Sequence, residues 1–111
     1  MQSAAEMTLV VVTYRTKPGK EEELLQLTCE HVSFLRKEVL AAARPVVAGR
    51  AADGTVVGVF EWAPGGVERA HSNPVVLKLL ERYAAACEIV PLNQLAESST
   101  MFASFAPIDI D

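Results

Sequence analysis

The feature that most constrains the fold is a repeated change in the spacing of apolar residues along the chain. Residues 7–15 form a run of β-branched and other apolar side chains, which is typical of a strand with side chains alternating between two faces. From residue 20 to about residue 42, the apolar residues instead recur every three or four positions, the period of an amphipathic helix. Pro18 and Gly19 separate the two patterns and predict a turn.

The second half repeats this change of period. Two apolar runs at 45–51 and 55–62 flank Asp53 and Gly54, a pair typical of a tight hairpin turn. A glycine turn and a short helical segment at 67–71 follow.

A second long helix is predicted after this segment. Asn73 is a favourable N-cap and Pro74 suits the first helical position, while Pro91 is expected to end the helix. Apolar residues alternate again at 99–106, which predicts a fourth strand.

The resulting order, β-α-β-β-α-β, is the ferredoxin-like arrangement within the α+β class. Right-handed crossovers put both helices on one face of a four-stranded antiparallel sheet. The length of 111 residues fits one domain, 1–111, with 1–6 and 107–111 as flanking tails.

The sheet face opposite the helices is expected to be apolar as well. The third strand carries Val57 and Val59 on one side and Val56, Phe60 and Trp62 on the other. A monomer seldom leaves such a large apolar patch in water. We therefore expect a homodimer formed through the open sheet face, which closes an α+β barrel.

The composition indicates which partners the protein is not expected to bind and in which compartment it is expected. The net charge of −4 argues against binding to nucleic acid or to an anionic membrane surface. No apolar run is long enough to span a bilayer, and residues 1–6 lack the pattern of a signal peptide, so a cytoplasmic protein is expected. The two cysteines, Cys29 and Cys87, have no metal-ligand spacing, so we predict buried thiols and no metal site.

Two short motifs resemble a known family. Tyr14 and Arg15 end the first strand shortly before Pro18 and Gly19, and Trp62 ends the third strand nine residues before His71. These motifs are similar to those of the antibiotic biosynthesis monooxygenase-like family of dimeric α+β barrels. The resemblance implies a homodimer and, for some members, oxygenation without a metal or flavin. No cofactor is therefore expected.

The chain departs from that family at three places, one of which is the second strand, where Pro45 to Gly49 replaces an aromatic-rich segment. Phe60 stands where members often carry Glu, and the first strand has no Asn, which the haem-degrading branch uses. The resemblance therefore does not extend to haem chemistry.

The candidate catalytic residues are His71 and Glu61. His71 could act as a general acid or base, or it could simply lie at a helix end and bond to the backbone. Glu61 could accept a proton if it is buried beside apolar groups, or it could be an edge charge. The candidate substrate-binding residues are Trp62, Tyr14 and Phe60. The alternative for Trp62 is packing in the core or a dimer interface, and the alternative for Tyr14 is an edge position with its hydroxyl in water.

Several other residues are predicted to have structural roles only. His31 lies at the edge of the first helix's apolar stripe. Leu27 and Phe34 lie on its opposite side, where they either are incidental or contact a partner subunit. For the charges of Arg15, Lys17 and Lys20 we predict a solvated loop, with attraction of an anionic substrate as the alternative.

Three functions remain open at this stage. The first is a cofactor-independent monooxygenase-like enzyme acting on a small apolar or aromatic substrate. The second is a non-catalytic barrel that binds a small ligand or serves as a stress-response dimer. The third is a purely structural dimer, which would have no cavity. A cavity separates the second from the third, and an acid or base facing it separates the first from the second.

Overall fold

The computed structural model describes residues 7–38, 40–42 and 44–110. Its elements follow the order β1, α1, β2, β3, α2, α3, β4 and β5. Their bounds are β1 Thr8–Thr16, α1 Glu21–Lys37, β2 Val47–Arg50, β3 Val56–Trp62, α2 Gly66–His71, α3 Pro74–Ala86, β4 Cys87–Val90 and β5 Ala106–Ile108. Two single 3₁₀ turns, Leu92–Gln94 and Ala96–Ser99, lie between β4 and β5.

The strands form one antiparallel sheet in the order β4-β1-β3-β2-β5. The four strands β4-β1-β3-β2 are compatible with the ferredoxin-like order expected from the sequence. The sheet has five strands rather than the predicted four, because β5 adds a further edge beside β2.

The position predicted for the fourth strand is wrong. The strand that pairs with β1 is Cys87–Val90, which follows α3 directly, whereas most of 99–106 is irregular. Helical spacing continues through Cys87 in the sequence, but the end of β1 offers an open sheet edge there. Lys17 N donates to Ala86 O at 3.0 Å, and the ladder then continues along β4. Pairing with the sheet thus overrides the helical pattern.

Helix α1 also ends earlier than predicted, at Lys37 rather than near residue 42. The described residues after it run beside β3: Ala42 N donates to Glu61 O at 2.8 Å, and Ala63 N donates to Leu40 O at 2.9 Å. Val39, which the sequence assigned to the helix stripe, lies outside the described residues.

The start of α3 and the β2–β3 hairpin confirm two local predictions. The Asn73 side chain accepts hydrogen bonds from Val75 N and Val76 N, which caps the helix. Gly54 has φ +92° in the turn between β2 and β3, a conformation that suits glycine.

The main core lies between the two long helices and one face of the sheet. It joins Leu24 and Leu27 of α1, Tyr83 of α3, and Tyr14 and Val56 of the sheet. Leu27 is therefore a core residue and not part of an outward stripe.

The opposite sheet face is partly covered by the chain itself. Leu95 is buried against Val57 and Ala51, with Phe105 packed beside them. The expectation of an entirely uncovered face is therefore corrected: the segment after β4 crosses one end of it.

The C-terminal residues also pack onto the domain. Residues 106–108, which overlap the predicted tail, form β5, and Ile110 is buried. Cys29 Sγ is 3.5 Å from Ile110 O. Cys29 is exposed and Cys87 is buried, so the prediction of two buried thiols holds for Cys87 only.

Candidate functional site

A narrow cleft lies between α1 and the helix-facing side of the sheet. The sheet contributes Tyr14, Val56 and Phe60, and α1 contributes Leu35 with its neighbours on the same stripe. Ile110 closes part of the wall. Most of the lining is apolar, which is typical of sites that bind small molecules.

The cleft is nearly closed in this state. Its cavity volume of ≈ 20 Å³ has room for about one water molecule. A molecule the size of benzene is accommodated by a cavity of about 150 Å³. A ligand of that size therefore requires the wall to move.

Tyr14 is held in the cleft wall by a buried aromatic contact. Its ring stacks on Tyr83 with centroids 5.4 Å apart and planes inclined by 15°. Burial, and next the nearby Tyr83, raise the pKa of Tyr14 above its ordinary value. Tyr14 is therefore an uncharged phenol and not a base near neutral pH.

Tyr83 extends this contact into a hydrogen-bond chain. Its hydroxyl donates to Thr28 Oγ1 at 3.1 Å, and the Thr28 hydroxyl donates to Leu24 O at 2.9 Å. Burial raises the pKa of Tyr83 to about 12. The chain fixes the orientation of both hydroxyls and ends on the backbone of α1.

His31 also lines the cleft, although the sequence analysis assigned it a structural role. Its ring meets the edge of Tyr83 with centroids 5.4 Å apart and planes at 65°. Nε2 is shielded from solvent and has no hydrogen-bond partner among the described residues. Burial lowers the pKa of His31 to about 4, so the imidazole is neutral at pH 7.

The sequence contains a spacing pattern that places His31 on the buried side of α1. Residues 24, 28, 31 and 35 follow one another at intervals of three or four, and Leu24, Thr28 and Leu35 are all buried. A polar residue within this buried stripe of a helix faces the sheet. The pattern could have placed His31 in the interior, but not beside a cleft.

The two aromatic residues at the end of β3 have different surroundings. Phe60 lines the cleft, whereas Trp62 packs with Leu40 and Ala70 in a second core cluster. Their rings are in contact, with centroids 5.2 Å apart and planes at 59°. Trp62 therefore packs against the Phe60 ring but is not part of the cleft lining.

Glu61 lies at the edge of the cleft and is paired. Arg44 Nε is 3.2 Å from Glu61 Oε1, and the Glu61 side chain is only 15% exposed. Arg36 Nη2 donates to Arg44 O at 3.0 Å. These contacts hold the segment around Arg44 against β3.

The structure does not bring His71 into the cleft. It is the last residue of α2 and is exposed, and it is not part of the cleft lining. Of the five predicted site residues, Tyr14, Phe60 and Glu61 are together in the lining.

The basic cluster near Pro18 is engaged in local contacts. Lys17 Nζ donates to Ala84 O at 2.7 Å, and Lys20 pairs with Glu23 at 3.3 Å. Arg15 contacts Gln94 at 3.1 Å. These charges tie β1 and the start of α1 to neighbouring elements.

The described residues contain no group of three or more His, Cys, Asp or Glu side chains arranged to hold a metal ion. Within the same residues, no helix combines the length and apolarity needed to cross a membrane.

Comparisons with protein-family models, curated proteins and solved structures found no match to this chain.

Proposed function

We propose that the protein binds a small, uncharged, apolar or aromatic molecule between α1 and the sheet. The observation that carries this proposal is the apolar cleft whose wall contains the rings of Tyr14 and Phe60. Aromatic walls offer a large apolar contact area to a flat ligand.

The uncharged state of two titratable residues in the cleft wall favours ligand binding over acid–base catalysis. Tyr14 and His31 are both neutral at pH 7, because burial shifts their pKa values away from neutrality in opposite directions. An efficient general acid or base has a pKa near the working pH. Neither residue meets this condition.

The cofactor-independent monooxygenase-like activity implied by the family resemblance is the second candidate. Its catalytic residues, His71 and Glu61, and its use of Trp62 as a stacking wall stay predictions. Turnover of aromatic substrates by the wild type and by the His71→Ala variant is the measurement that decides it.

Gly58 provides a direct test of the cleft. It lies on β3 between Val12 and Ala48, and a Cβ built there would be 3.7 Å from the Tyr14 ring, an ordinary contact. Replacement by valine should fill the cleft without a backbone clash. We expect Gly58→Val to weaken the binding of toluene about tenfold or more, measured by NMR titration, because overpacking costs about 1–3 kcal/mol.

Val59→Ile is the matched control, since Val59 alternates with Gly58 and points to the other sheet face. It should leave toluene binding unchanged. If wild type and Gly58→Val bind toluene equally, the cleft is not the binding site.

We also propose that two copies associate through the face of the sheet opposite the helices. Val11 and Val47 both pair with Val59, so three valines form a row across this face. Val11 is 47% and Val47 65% exposed, and Leu9 on the same face is 61% exposed. A second copy would remove this apolar row from water, giving an isologous dimer.

A further inference from the structure

The Nε2 atom of His31 is a buried polar atom of the cleft wall. Nε2 is buried and makes no hydrogen bond within the described part of the chain, although the ring is held against Tyr83. Buried polar atoms in native proteins are nearly always hydrogen-bonded. An unpaired one in the wall of an apolar cleft that must widen to admit a ligand indicates where a polar group of the ligand belongs.

Neighbouring hydroxyls are already satisfied within the chain. Tyr83 donates to Thr28, and Thr28 donates to Leu24 O. The Tyr14 ring is stacked on Tyr83, with centroids 5.4 Å apart. A ligand that enters the cleft therefore finds an unpaired nitrogen at His31 in a lining that is mostly apolar.

The same surroundings determine the charge of that ligand group. The His31 imidazole is neutral, and the Glu61 carboxylate at the cleft edge is paired with Arg44. The charged side chains of the lining are already engaged: Arg44 pairs with Glu61, and Arg36 donates to Arg44 O. A charged group placed beside Nε2 would therefore lose its hydration without a new ion pair to compensate. The polar group is therefore uncharged.

A hydroxyl fits this position better than a group that only donates or only accepts. Nε2 is a donor in one neutral tautomer of histidine and an acceptor in the other. A hydroxyl both donates and accepts, so it bonds to either tautomer.

Building on the proposed function, we propose that His31 determines the specificity of the cleft, with Nε2 forming a hydrogen bond to the neutral hydroxyl of a small phenol-like ligand. The aromatic ring of that ligand would pack on Tyr14 and Phe60. His31 then acts as a binding residue that selects hydroxylated molecules from apolar ones of the same size.

Phenol and toluene test this directly, because they differ mainly in a hydroxyl in place of a methyl group. NMR titrations of the full chain should show phenol binding about tenfold tighter than toluene, the effect of one hydrogen bond whose absence leaves Nε2 unpaired. In His31→Leu the preference should disappear while toluene still binds. His31→Gln, which keeps a hydrogen-bonding group, should recover part of it.

Gln26→Leu is the matched control, because it also replaces a polar residue of α1 by leucine, but Gln26 is exposed and lies outside the cleft lining. It should keep the phenol preference. Equal binding of phenol and toluene by the wild type, or an unchanged preference in His31→Leu, would overturn the role of His31. If neither compound binds to the wild type, the proposed ligand-binding function itself fails. If His31→Leu does not fold, the phenol preference of His31→Gln tests the role of His31 instead.

Discussion

At the scale of single residues, burial controls the chemistry of the cleft. Tyr14, Tyr83 and His31 all belong to residue types that titrate, yet each is held in its uncharged form by loss of contact with water. The same burial that leaves His31 Nε2 without a partner also lowers its basicity. His31 Nε2 is therefore an uncharged polar atom within the mostly apolar cleft wall.

This burial predicts a pH dependence of stability. The pKa of His31 is about 4 in the folded chain and 6.5 as the ordinary value, so between these values the unfolded chain binds the extra proton. Stability is therefore full above pH 6.5 and falls as the pH is lowered towards 4. Between pH 7 and pH 5 we expect His31 to account for a loss of about 2 kcal/mol.

Urea unfolding of the wild type and of His31→Leu at both pH values measures this loss. The variant should lose less stability on acidification, because its side chain cannot bind a proton. At pH 7 it should be at least as stable as the wild type, since leucine leaves no polar atom unpaired. An identical pH dependence in the two proteins would contradict the neutral, buried state of His31.

At the scale of elements, the C-terminal segment closes the cleft. Strand β5 has three residues and adds to the sheet edge at β2, and two residues later Ile110 is buried in the cleft wall. A three-residue edge strand is a weak attachment. We therefore expect this segment to be displaced when a ligand enters.

Shortening the side chain of Ile110 should lower the stability of the fold but strengthen toluene binding. We expect Ile110→Ala to lower the free energy of unfolding by about 2–4 kcal/mol, because it removes buried methyl groups. The same change enlarges the cleft, so toluene should bind more tightly than to the wild type. Urea unfolding and NMR titration measure the two effects.

Leu95→Ala is the matched control: Leu95 is equally buried but packs on the opposite sheet face. It should lower stability without tightening toluene binding. If Ile110→Ala binds toluene more weakly than the wild type, Ile110 is a contact for the ligand and not an obstacle.

At the scale of the whole molecule, the sheet face that the helices leave open carries the exposed apolar residues Leu9, Val11 and Val47. Segment 91–105 covers only part of this face, and Met101 and Phe102 within it are 90% and 84% exposed. Light scattering at micromolar concentration should give twice the mass of one chain. Val11→Glu should reduce it to a monomer, because a dimer interface would have to bury an unpaired carboxylate.

Leu77→Glu on α3 is the matched control, since Leu77 is 45% exposed, close to Val11. It should leave the dimer intact, as it lies on a helix away from the open face. A wild-type chain that is monomeric at micromolar concentration would contradict the proposed association.

The sequence by itself determined the local elements. Local patterns correctly predicted β1, β2 and β3, a long helix beginning near residue 20, the turn at Gly54 and the Asn73 cap, because these features depend on neighbouring residues. The run at 99–106 is the exception, since most of it is irregular. Local patterns also allowed Tyr14, Phe60 and Glu61 to be selected as site candidates from their places on or near strand ends.

Only the tertiary structure determined which segments, distant in the sequence, come into contact. Cys87–Val90 is a strand because β1 offers it an open edge, and Ile110 is buried because β5 carries the chain end across to α1. His31 lines the cleft while His71 remains exposed, although sequence spacing favoured His71. Local pattern tells which residues turn inward, but the contacts between distant segments determine which of those inward residues meet around a cavity.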